Sequence, residues 1–311
     1  MIVRWGIEEL PALAGDHPFV VASPRWRGVL DSADRWEEVP SDRIEVPDGV
    51  ETIVAVGGGS AIDTAKAASA ATGLPLVSVP TTYSGAEWTE FFGVRDRDRL
   101  MRGGGAGANL HAIVYEPALT LNLPRAETVG TALNGLAHCA EALYVDRHNA
   151  EADTEALEGA RLIGMWLPDV VERPDDLKAR TALLRGACHA GAALGKSFLA
   201  LGHALAQGLG GRYGAPHGAL NALTLPAALR FNEPVAGEAV ARFAQALGSD
   251  DPAAKVEELA RLGGFERLRD LGIPEDAPAE LAESIAARPG AKANPRPVTA
   301  ADVEDILRTI W

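Results

Sequence analysis

The chain has 311 residues, 47% of them hydrophobic and 23% charged, enough for one large domain or two modest ones. Its formal net charge of -14 argues against nucleic acid and anionic lipid as partners. Cys139 and Cys188, its 2 cysteines, lie in alanine-rich helical patterns and read as small buried residues, not a disulfide framework. The opening Met1-Ile2-Val3-Arg4-Trp5 shows no charged segment followed by an apolar run, and no apolar stretch is long enough to span a bilayer. A cytoplasmic protein with a small-molecule substrate is expected.

The first third reads as short strands, apolar on both faces, separated by helical or irregular segments. Strands are predicted at Phe19–Ala22, Thr52–Val56, Leu76–Val79 and Ala112–Tyr115, as in a covered parallel sheet. An alanine-rich helix from Ala61 to Ala71 joins the second to the third, a βαβ unit. The polar, proline-broken segment from Pro24 to Pro47 offers one short strand, Arg43–Val46.

Val54-Ala55-Val56 runs into Gly57-Gly58-Gly59-Ser60 and the helix follows at once. Glycines let a backbone turn tightly and approach a ligand. Ser60 is predicted to cap the helix, with Asp63 at the capping-box position. Amides at a helix N-terminus suit a phosphate. The next strand ends in Pro80-Thr81-Thr82-Tyr83-Ser84-Gly85-Ala86-Glu87, and adjacent strand ends of this kind form nucleotide crevices. Thr81, Thr82 and Ser84 could equally be loop hydroxyls bonded to their own backbone.

From Pro124 the pattern turns helical, with apolar spacing over Leu133–Leu143, Glu151–Met165, Leu177–Leu194, Phe198–Leu209, Ala236–Leu247 and Val256–Leu262. A last helix begins at Thr299, with Asp302 placed for a capping box. The predicted organisation is an α/β domain over residues 1–123, with a mostly parallel sheet, and an all-helical domain over residues 124–311. A cleft between two such halves is the default ligand site.

Asn134 and His138 share one helical face, and His203 and Gln207 repeat the spacing. His217 follows the loop Gly210–Pro216. Three imidazoles and an oxygen donor suit Zn²⁺ or Fe²⁺, but Asn134 brings no charge to a dication, and Glu141 is the carboxylate one turn past His138. His111, His148 and His189 are read as structural.

These motifs resemble a known family. Gly57 to Lys66 is similar to the cofactor signature of the iron-containing (group III) alcohol dehydrogenases. Pro80 to Thr89, and Asn134 to Glu141 with asparagine for aspartate, resemble the maleylacetate reductase branch. The resemblance implies a dinucleotide-binding α/β domain and a helical domain in dehydroquinate synthase-like architecture, NAD(H) or NADP(H) as cofactor, and a homodimer. It implies that Gly57, Gly58, Gly59 and Ser60 hold the pyrophosphate, with Asp63 also among the cofactor-binding residues, that Thr81, Thr82 and Leu121 line the adenosine or ribose, and that His138, His203 and His217 face the nicotinamide. Asn134 and Gln207 would meet substrate, Gln207 replacing the branch's further histidine. Arg212 and Lys196 are candidate anchors for a substrate carboxylate. The expected reaction is hydride transfer to an enone or carbonyl in a histidine-lined cleft. Asn134 points away from a metal on Asn134, His138, His203 and His217. The alternatives are a metal-dependent alcohol or aldehyde dehydrogenase using Fe or Zn, a dehydroquinate synthase-like cyclase or lyase, and a relative without catalysis.

Overall fold

The computed structural model describes residues 1–32, 34–97 and 100–311. They form two compact units. One comprises Met1–Thr82 and Ala86–Asn122, the other Tyr83–Gly85 and Leu123–Trp311.

The first unit carries β1 (Ile2–Trp5), α1 (Leu10–Ala14), β2 (Pro18–Ala22), β3 (Arg35–Trp36), β4 (Thr52–Gly57), α2 (Gly59–Thr72), β5 (Pro75–Pro80), β6 (Phe92–Arg95), β7 (Met101–Gly105) and β8 (Asn109–Tyr115). Six strands pair in parallel in the order β1-β8-β5-β4-β2-β3, while β6 and β7 form an antiparallel pair. Strand alternation separates two cores. Val20, Val54, Val56, Val77, Val79 and Val114 face Leu10 and Ala14, whereas Phe19, Val21, Ile53, Ala55 and Leu76 face Ile62, Ala65 and Ala68 of α2. Sheet faces covered on both sides explain why these strands read as continuous apolar runs.

The predicted strand Arg43–Val46 is not formed. Residues 43–46 are irregular, and the edge beside β2 is taken by β3. Ile44 and Val46 still pack against the Phe19 core, so their alternation reports burial without a ladder. Sequence reading also missed β1 and the β6–β7 pair. Gly103, Gly104 and Gly105 of β7 have no side chains to alternate.

The second unit carries α3 (Arg125–Ala142), α4 (Ala150–Glu172), α5 (Leu177–Lys196), α6 (Leu201–Tyr213), α7 (His217–Leu247), α8 (Pro252–Arg261), α9 (Ala277–Ala286), α10 (Pro289–Lys292) and α11 (Ala300–Ile310). A Cβ on Gly159 of α4 would lie 2.8 Å from Cys139 Sγ of α3 and 3.0 Å from Ala190 N of α5, so glycine allows this close packing. The helix expected to start at Ala236 is the end of α7, which leaves helical geometry at Ala236 (φ -123°, ψ 29°) two residues after Pro234. Thr299 and Asp302 form the expected capping box. Among the described residues no helix is long and apolar enough to cross a membrane.

Candidate active site

In the first unit the ends of β4 and β5 lie side by side, with Gly57 opposite Pro80. Thr81 N donates to Gly57 O at 3.0 Å. Gly58 is the N-cap of α2, and no side chain caps it. The cap expected of Ser60 is therefore corrected. Ser60 lies inside the first turn, and Asp63 Oδ2 instead accepts from Gly93 N at 3.3 Å. A Cβ on Gly58 would fall 2.8 Å from Thr82 Cγ2, so only glycine lets the turn lie against Thr82 without displacement. Thr81 is fully buried and its hydroxyl has no partner. Leu121 follows the short turn Pro117–Thr120 and is half-buried. The first amides of α2 and its dipole suit an anion at this turn.

Lys66, Glu87 and Thr89, which belong to the motifs that carry the family resemblance, lie in a buried polar cluster. Lys66 Nζ donates to Phe91 O at 2.8 Å and Thr89 Oγ1 at 3.2 Å. Tyr115 OH donates to Glu87 Oε1 at 2.7 Å and accepts from Trp88 Nε1 at 2.8 Å. Burial pushes the Glu87 carboxyl up and the Lys66 ammonium down from their ordinary values.

In the second unit α3, α6 and α7 bring together Asn134, His138, His203 and His217. The rings of His138 and His203 stack at 4.7 Å and 13°, and those of His203 and His217 lie 5.7 Å apart at 50°. Glu141 Oε2 meets His203 Nδ1 at 2.8 Å and accepts from Ala200 N at 2.8 Å, while Oε1 accepts from His203 N at 3.0 Å. Burial and the neighbouring imidazoles push His138 well below the ordinary histidine value, and its Nδ1 has no partner.

The asparagines decide how this cluster is wired. Asn134 Nδ2 donates to Ser84 O at 2.7 Å, which fixes Asn134 Oδ1 as the acceptor on the other side. That oxygen accepts from Asn221 Nδ2 at 2.7 Å and faces His203 Nε2 at 3.3 Å. Asn221 Nδ2 also reaches His217 Nε2 at 3.0 Å, which sets that nitrogen as an acceptor. Asn221 was missed in the sequence, although it stands four residues after His217, the same spacing that drew attention to Asn134 and His138.

Other candidates fall elsewhere. Arg212 Nε pairs with Glu280 at 2.7 Å, and Lys196 Nζ pairs with Glu155 at 3.0 Å and Glu151 at 3.8 Å. Both charges have carboxylate partners, so neither is placed as a substrate anchor. Gln207 is half-buried one turn after His203 on α6. His189 meets Glu155 at 2.7 Å, while His111 and His148 are exposed.

Comparison with known proteins settles the lineage. Residues 128–311 match the C-terminal domain of the Fe-containing alcohol dehydrogenase family, and residues 45–110 match iron-containing alcohol dehydrogenase. The chain belongs to the iron-containing alcohol dehydrogenase family. It is similar to maleylacetate reductase from Burkholderia cepacia, 39% identical over 80% of this chain and 71% of that one. Its fold matches maleylacetate reductase from Agrobacterium tumefaciens (TM-score 0.85, 28% identity, 100% and 95% of the two chains). It also matches an iron-containing alcohol dehydrogenase from Corynebacterium glutamicum (TM-score 0.88, 29% identity, 100% and 94%). This family member is an NAD(P)-dependent oxidoreductase.

The iron in the family name calls for a test of the donor set. A metal lies in the plane of each imidazole it binds, and the stacked, nearly parallel rings of His138 and His203 share no such point. The amide of Asn221 donates to Asn134 Oδ1 and meets His217 Nε2, so both atoms that would face a metal are already engaged. Glu141, considered as a replacement ligand, is committed to His203 and two backbone amides. As arranged, Asn134, His138, His203 and His217 do not fit a divalent metal.

Proposed function

We propose that this family member uses NADH or NADPH to reduce the carbon–carbon double bond of an enone dicarboxylate of the maleylacetate type, without a metal. The observation that carries this is the wiring of His203 between Glu141 and Asn134. With the Glu141 carboxyl on Nδ1 and the acceptor-only amide oxygen of Asn134 opposite Nε2, both ring nitrogens of His203 face acceptor groups, so the ring is placed to donate. A bound reduced nicotinamide would supply hydride to the β-carbon of the enone, leaving the electron pair of the double bond on an enolate oxygen. The imidazoles stabilise that oxygen. His203 gives its Nε2 proton as the enolate collapses to the saturated ketone, and solvent restores it. Glu141 holds the ring through Nδ1, while Asn221 holds His217 with its proton on Nδ1.

In this reading residues 1–123 bind the dinucleotide, with its pyrophosphate on Gly57–Ser60, and residues 124–311 supply the imidazoles, in a homodimer. The test is nicotinamide oxidation followed by absorbance with maleylacetate, simple enones, aldehydes and alcohols, beside metal analysis of protein purified without chelator. Turnover of maleylacetate that survives EDTA supports the proposal. Stoichiometric iron or zinc with EDTA-sensitive alcohol oxidation would replace it with the metal-dependent dehydrogenase.

A further inference from the structure

Among the described residues Arg180 of α5 is the largest fully buried side chain, 1% exposed, and the proposed reaction does not use it. A buried guanidinium persists only where its donors are met. Arg180 Nε donates to Pro174 O at 2.9 Å, and its Nη1 donates to Thr128 Oγ1 and to Tyr83 OH, each at 3.2 Å. Pro174 and Thr128 belong to the helical frame around it. Tyr83 is different, because it opens the segment Tyr83–Gly85, which joins the helical unit from the end of β5.

Both ends of that segment are held. Tyr83 is fully buried, its N donates to Thr131 Oγ1 at 3.3 Å, and a Cβ on Gly135 would lie 3.3 Å from its carbonyl oxygen. Gly85 turns with φ +73°, where a Cβ would lie 3.1 Å from Gly191 Cα of α5 and 3.4 Å from His138 Nδ1. Between these anchors stands Ser84, whose carbonyl accepts from Asn134 Nδ2 at 2.7 Å. An amide has a donor at one end and an acceptor at the other. Ser84 O therefore selects which end of Asn134 faces Asn221 and His203. With that carbonyl displaced, the amide is free to turn over and set its own donor against Asn221 Nδ2, itself a donor. Connecting segments move unless something ties them down. Here the guanidinium ties the Tyr83 ring one residue before the carbonyl that matters.

We propose that Arg180 is a positioning residue for turnover: by holding the Tyr83 hydroxyl it fixes the Ser84 carbonyl, which orients the Asn134 amide toward His203. It acts through Tyr83, Ser84 and Asn134, all within the helical unit. The inference rests on the proposed part of the Asn134–His203 wiring in the reaction.

The test is a double-mutant cycle on kcat at saturating reduced cofactor and substrate. Tyr83→Phe removes the oxygen that Arg180 holds and keeps the ring. It should lower kcat about tenfold, with both KM values within about twofold of the wild type. Asn134→Ala should lower kcat at least as far, and adding Tyr83→Phe to it should lower kcat less than about twofold further, because the route passes through Asn134. Arg180→Lys keeps the charge without the planar fork and should repeat both results. If that variant does not fold, the Tyr83→Phe cycle decides alone. A purely structural role would lower the thermal midpoint and give effects on kcat that multiply. Multiplying effects, or a Tyr83→Phe kcat within about twofold of the wild type beside an impaired Asn134→Ala, overturn the assignment to Arg180 alone. An unchanged kcat in Asn134→Ala would overturn the assignment together with the proposed part of Asn134 in the site.

Discussion

Asn134 shows why one atom of side-chain chemistry matters in a buried network. Its nitrogen donates to Ser84 O at 2.7 Å and its oxygen accepts from Asn221, so the two ends of the amide are not interchangeable. Asn134→Asp keeps the shape but sets a carboxylate oxygen against the Ser84 carbonyl. We expect a loss of about 1–3 kcal/mol of stability, read by urea denaturation, together with reduced turnover. A variant as stable as the wild type would show that the Ser84 contact carries no weight. Glu87 gives a second case, through pH. It is 1% exposed, Oε2 has no partner, and burial raises its carboxyl above the ordinary 4.5. A carboxyl raised in the folded state contributes fully below its unfolded value, and that contribution is lost as pH rises through the folded value. Glu87→Gln does not ionise. Its stability relative to the wild type should therefore improve as pH rises from about 4 to about 8. A pH-independent difference would contradict the raised value.

Elements set the precision with which such side chains are offered. β4 passes into α2 with a single cap residue, Gly58, whose would-be Cβ lies 2.8 Å from Thr82 Cγ2. Gly58→Ala must push apart the turn and the Thr81–Thr82 segment. The KM for the nicotinamide cofactor should rise about tenfold or more, with little change in the thermal midpoint. Unchanged cofactor kinetics would remove the turn from the site. At the other end of the chain, α11 is stopped by the Thr299–Asp302 box and buries Val303, Ile306 and Leu307. Thr299→Ala should lower stability by about 1 kcal/mol without touching kinetics. A comparable loss of kcat would tie α11 to catalysis. Tyr83–Gly85 shows how an element can be divided: the chain leaves β5 through Thr81 and Thr82, and the next three residues join the helical unit. There Thr131 Oγ1 accepts from Tyr83 N, Asn134 holds Ser84 O, and Arg180 reaches Tyr83 OH.

Across the whole molecule the charge of -14 opposes an anionic substrate. Arg212 and Lys196 do not relieve this, because Glu280 and Glu155 answer their charges. At saturating cofactor, the KM for a dicarboxylate should fall about twofold or more as ionic strength rises from about 0.02 M to about 0.2 M, while the KM for a neutral enone stays level. A rise in the dicarboxylate KM with salt would mean that local cations dominate.

By itself the sequence determined the order of β and α segments, the parallel sheet strands, the glycine turn and the family. Each of these is written in short-range terms: β-branched runs covered on both faces, helical spacing, and residue types at fixed intervals. Short edge pairing was not legible. β3 has two residues, and Ile44 and Val46 alternate because they are buried, without forming a strand. In the sequence Asn134 was a substitution and His203 one of three histidines. Only the tertiary structure decided that Asn221, Glu141 and the Ser84 carbonyl wire them together. Those outcomes depend on which donor meets which acceptor across tens of residues of chain, and sequence spacing carries no information about such meetings.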